Sequence, residues 1–138
     1  MSTMREAGEA VVRRYYAAFN AGDRAGMAAC LSDDFVHDVN EGGRRKGKAL
    51  FAEFMAHMDR CYREELKDIA VMTSADGSRA AAEFVVHGTY VATDEGLPPA
   101  KGQAYVLPAG AFFEIKGSLI ARVTTYYNLK NWMEQVAR

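Results

Sequence analysis

The sequence is poor in cysteine, in long apolar runs and in any excess of one charge. Its two cysteines, Cys30 and Cys61, lie far apart without a CxxC or His-Cys cluster. That spacing excludes a disulfide scaffold or a cysteine-built zinc site, and it leaves two buried, reduced thiols of a cytoplasmic protein as the expectation. No apolar stretch approaches the roughly 20 residues that cross a bilayer. Charges among Met1 to Glu9 stand where a secretion signal needs an unbroken apolar run. Lys plus Arg total 17 against 18 Asp plus Glu, a net charge of −1, so neither nucleic acid nor an anionic membrane is an expected partner. The three histidines form no His-x-x-x-His pair, and the glycines form no strand-to-helix phosphate fingerprint. No metal and no cofactor is expected.

What is present suits one folded unit. The 138 residues are 49% hydrophobic and 11% aromatic, enough to bury a core within a single domain spanning residues 1–138. From Thr3 to Asn20, Ala7, Val11, Tyr15, Ala18 and Phe19 recur at spacings of three and four, which predicts an amphipathic helix ending at Gly22. Asp23 caps a short second helix that carries Met27, Cys30 and Leu31. Phe35 to Asn40 alternates as a short strand before the Glu41-Gly42-Gly43 turn. Lys46 to Tyr62 shows the widest apolar stripe of a helix. The period then changes to two. Residues 66–73, 79–93, 103–115 and 119–128 read as strands in an antiparallel meander, and a last helical turn or two carries Trp132 and Val136.

Helices first and a long-stranded sheet afterwards is an α+β pattern, with three N-terminal helices covering a curved antiparallel sheet. Such a cone encloses a cavity suited to a small apolar ligand. The basic run Arg44-Arg45-Lys46 beside the Gly-Gly turn reads as a solvated loop, with contact to an acidic ligand tail as the lesser alternative. His57 reads as structural, at the edge of its helix's apolar stripe.

The segment from Val11 to Asp23, Val-Val-Arg-Arg-Tyr-Tyr-Ala-Ala-Phe-Asn-Ala-Gly-Asp, resembles the opening helix of ketosteroid isomerases. Gly88-Thr89-Tyr90 followed by Gly96-Leu97-Pro98-Pro99-Ala100-Lys101-Gly102 is similar to a hairpin of the SnoaL-like polyketide cyclases. Both families share the nuclear transport factor 2-like fold, a cystatin-like α+β barrel, and the likeness runs from about Arg5 to Val136. In ketosteroid isomerases a carboxylate moves a proton while a tyrosine and a protonated aspartic acid hold the enolate oxygen. The resemblance implies that Tyr15 is the oxyanion donor.

For the base, the family position points to Asp38, provided a bulge turns it inward, and strand parity points to His37 beside Phe35 and Val39. The family's protonated acid has no counterpart in Leu107 to Phe113. Asn128 stands where the cyclases carry an aspartate, and with His87 and Tyr126 it is expected to contact ligand. The resemblance also implies a homodimer through the exposed sheet face. The expected function is cofactor-independent proton transfer on a small apolar cyclic or polyketide-like carbonyl compound. The alternative is a ligand-binding or dimerising module without catalysis.

Overall fold

The computed structural model describes residues 3–39 and 42–138. Helix α1, Met4–Ala21, starts where the Thr3 side chain accepts from the Glu6 N–H, and it stops at Gly22, whose left-handed φ of 71° suits a residue without Cβ. Its buried face carries Val11, Val12, Tyr15 and Tyr16. Asp23 caps α2, Arg24–Ala29. Strand β1, Leu31–Val39, begins earlier than the alternation suggested, so Leu31 opens a strand instead of closing a helix. The basic run forms β2, Arg44–Lys46, paired antiparallel with β1, where a solvated loop was expected.

Helix α3 spans Lys48–Cys61, and β3, Tyr62–Thr73, follows without a loop. Then come β4, Arg79–Tyr90, β5, Gln103–Lys116, β6, Leu119–Tyr127, and α4, Leu129–Val136. The six strands lie in the order β2-β1-β6-β5-β4-β3 in one curved, unclosed sheet. Neighbours are antiparallel except β1 and β6, which run parallel. This corrects the wholly antiparallel expectation. β1 is separated from the meander by α3, so no hairpin forces it to oppose β6.

Helix α1 packs against β3, β4 and β6 and helix α3 against β1, β2 and β3, with α2 held by these two helices. Asn20 at the end of α1 donates from Nδ2 to the Leu66 carbonyl at 2.9 Å and accepts from the Leu66 N–H at 2.8 Å. This two-bond clasp sets α1 across β3. No described helix is long and apolar enough to cross a membrane.

Candidate active site

The concave face and the helices enclose a cavity of about 760 Å³. Period-2 alternation decides which strand residues reach it. His37 and Val39 of β1, Glu64 and Leu66 of β3, Phe84 and Val86 of β4, and Val123 and Thr125 of β6 point inward, while α1 contributes Tyr15 and α3 contributes Phe51 and Phe54. The wall is mainly apolar, so its few polar groups define its chemistry.

Tyr15 is 5% exposed and packs edge-on against Phe113 at 6.2 Å. Burial pushes its phenol well above the ordinary value, with Cys30 adding to the shift and Arg24 opposing it. It therefore stays a neutral hydrogen-bond donor. His37 is 4% exposed, with its ring 4.7 Å from that of Phe54 and 5.4 Å from that of Phe51. Burial, and then the Arg45 charge, lower its pKa to about 4, against the pull of Asp38. The imidazole is neutral at pH 7 and finds no hydrogen-bond partner for Nδ1 among the described residues.

Asp38, one position on, faces the other side of the sheet. The irregularity in β1 falls between Leu31 and Val36, upstream of the pair, so ordinary alternation places His37 and Asp38 on opposite faces. Asp38 accepts two hydrogen bonds from Arg44, at 2.8 and 3.0 Å, and one from Thr124 at 3.1 Å. The Arg44 bonds hold its carboxyl below the usual range. The bulge that would have turned Asp38 inward is absent at this point, and its side chain belongs to an outer-face ion pair.

The three residues expected to contact ligand also lie outside the cavity wall. His87 pairs in register with Glu65 and Val106 on the outer face. Tyr126 is 47% exposed there, its ring 5.7 Å from Phe112, while its neighbours Thr125 and Tyr127 take the inward positions. Asn128 caps α4, its side chain accepting from the Asn131 N–H at 3.0 Å. Of the six candidates, Tyr15 and His37 meet at the cavity.

The fold supplies a carboxyl that sequence reasoning missed. Glu64 borders the cavity from β3, and the Tyr105 hydroxyl donates to its Oε2 at 2.5 Å. Burial pushes the Glu64 pKa up, while the Tyr105 bond and the Arg24 charge pull the other way. Tyr105 reaches it across Gly88, the register partner on β4, where a Cβ would stand 2.3 Å from the ring. Only glycine leaves room for this contact. The available signal was parity: Tyr62, Glu64 and Leu66 alternate onto one face once β3 is seen to begin at Tyr62.

A second polar group lies at the cavity wall between α3 and the loop after β4. Asp94 accepts from the Tyr62 hydroxyl at 2.6 Å and lies 2.9 Å from His57 Nε2. Ligand atoms of His57, Cys61 and Asp94 all fall within 4.8 Å of one another, a set that could hold a metal ion. They are already engaged: Arg60 bonds His57, and Cys61 donates to the Thr93 carbonyl.

Residues 12–123 match the SnoaL-like domain family. The chain belongs to that family. Solved structures agree. A Pseudomonas putida protein called a "putative polyketide cyclase" is 62% identical, with a TM-score of 0.91 and coverage of 99% of each chain. A Xanthomonas campestris protein of the same description is 51% identical at a TM-score of 0.94, over 97% of this chain and 99% of that one. At 17% identity and a TM-score of 0.77, a Burkholderia pseudomallei protein described as NTF2-like shares the fold over the full length of both chains. The search of curated proteins found no match. This SnoaL-like protein therefore has the nuclear transport factor 2-like fold that its opening helix suggested, and its cavity is assembled by that fold's curved sheet.

Proposed function

We propose that the protein catalyses cofactor-independent proton transfer on a small cyclic or polyketide-like carbonyl compound. The observation that carries this reading is Glu64, a carboxyl with a raised pKa in an apolar cavity, oriented by Tyr105 and sharing that cavity with the Tyr15 phenol. A base works best when its pKa lies near the working pH, and burial moves an ordinary glutamate in that direction.

In this reading the Glu64 carboxylate takes a proton from the carbon next to the substrate carbonyl. The C–H pair forms the new C=C bond, and the carbonyl π pair moves onto oxygen. Tyr15 donates a hydrogen bond to that oxygen, where a low-dielectric wall strengthens the bond. Glu64 then returns the proton to a second carbon as the first carbonyl reforms, or the enolate carbon attacks a second carbonyl in the same molecule, whose π pair moves onto its oxygen and takes the proton from Glu64 while the first carbonyl reforms. His37 is a neutral imidazole at the wall, able to donate or accept a hydrogen bond. Asp38 takes no part.

The description of the two similar proteins as cyclases supports the second outcome, and the likeness of the opening helix to ketosteroid isomerases supports the first. The test offers a β,γ-unsaturated ketosteroid and follows conjugation by ultraviolet absorbance. Tyr15→Phe and Glu64→Gln are each expected to slow the reaction, by roughly 10² or more for the loss of a positioned base or oxyanion donor. Asp38→Asn should stay within about threefold of wild type. Equal rates in all four proteins would contradict the assignment.

A further inference from the structure

Two buried polar atoms of the cavity wall have no partner among the described residues, and they are neighbours. His37 on β1 and Arg45 on β2 are register partners, so both side chains leave the same face of the sheet. Both line the cavity, and both meet the ring of Phe54, His37 at 4.7 Å and the Arg45 guanidinium at 5.0 Å. Nδ1 of His37 and Nη1 of Arg45 are each buried without a hydrogen-bond partner among the described residues. Among the described residues no carboxylate pairs with Arg45: Asp38, on the neighbouring strand, is turned outward and taken by Arg44.

A guanidinium N–H shielded from water with no acceptor is costly. Such groups persist in folded proteins where something else satisfies them. Here the missing partner is an acceptor that enters through the cavity. Arginine's planar fork matches a carboxylate, and a neutral imidazole carrying its proton on Nδ1 adds a second donor beside it.

We infer that Arg45 and His37 form a carboxylate-binding subsite, so that the ligand of this cavity is an apolar ring system bearing an acidic group. This deepens the proton-transfer reading by naming the substrate class, and it rests on that reading only in placing both at one cavity. Its geometry adds a length. Arg45 and Glu64 sit on β2 and β3, the two edge strands of the six-stranded sheet, so the carboxylate would be held at one side of the cavity and the reacting carbon at the other. The near-neutral charge of the whole chain carries no information on this point, because one cation at the cavity is invisible in the sum.

The test needs no turnover. Binding of 2-naphthoate and of its uncharged isostere 2-naphthamide is measured by calorimetry at pH 7 in chloride-free buffer. The wild type is expected to bind naphthoate at least tenfold more tightly than the amide. Arg45→Met, which keeps an apolar stem over Phe54, should reduce that ratio to about one while leaving amide binding within about twofold. Equal binding of the two probes by the wild type would overturn the inference. So would an undiminished preference in Arg45→Met. Retained amide binding also shows that the variant is folded with its cavity open. Neither result bears on whether Glu64 moves protons, so this subsite and the proton-transfer reading can fail separately.

Discussion

At the scale of single residues, His37 and Glu64 work against stability in opposite pH ranges. The folded pKa of His37 is near 4 against about 6.5 when exposed. Between those values the unfolded chain binds the extra proton, so stability rises with pH through this window and is lost as pH falls through it. The full effect is on the order of 3 kcal/mol. His37→Leu should flatten the change in urea midpoint between pH 7 and pH 5, and an unchanged slope would contradict the buried, neutral imidazole. Glu64 has the reverse sign. Its folded pKa is raised, so its contribution is present below about 4.5 and lost as pH rises through the folded value.

Gly88 makes a third case. Alanine there would meet the Tyr105 ring at 2.3 Å, and relieving such a clash typically costs about 1–3 kcal/mol. Gly88→Ala should lower the denaturation midpoint. It should also shift the Glu64 titration, followed by carbon-13 NMR, by weakening the Tyr105 bond. A stability loss with no change in titration would separate Tyr105 from Glu64.

At the scale of elements, most of the helices and strands were legible because their periodicity is strong, and the errors share one cause. A boundary misplaced by a few residues hides which face a side chain takes. With β3 begun at Leu66, Glu64 lay outside any strand and had no parity. With 44–46 read as loop, Arg45 had none either. For the His37 and Asp38 pair, alternation and family position disagreed, and the structure follows alternation at that point. Tyr126 was one place away from the inward positions Thr125 and Tyr127. The last case is Asn128, whose amide caps α4 and so serves the helix. Asn128→Ala should cost about 1 kcal/mol, seen as a lower melting temperature, while 2-naphthamide affinity stays unchanged. A lost affinity would return Asn128 to the ligand.

At the scale of the whole molecule, the sheet has two unlike faces. The concave one was foreseeable as a class, since helices followed by a curved sheet need an interior, but its polar groups come from strands distant in sequence and are joined only by topology. The outer face exposes Met72, Val106, Phe112 and Tyr126, each between 47% and 54% accessible. We propose that this face meets a second copy of the chain. Phe112→Glu should then give a monomer by light scattering where the wild type gives a dimer, and a monomeric wild type would contradict it.

In the proposed reaction Glu64 carries a proton to and from carbon inside this cavity. The most direct measurement is the exchange of the α-protons of 2-tetralone for deuterium, followed by proton NMR in D₂O with wild type and Glu64→Gln at equal concentration. Exchange above the buffer rate is expected with the wild type and a loss of roughly 10² or more in the variant, with 2-naphthamide binding retained in both. Equal exchange rates in the two proteins would contradict it.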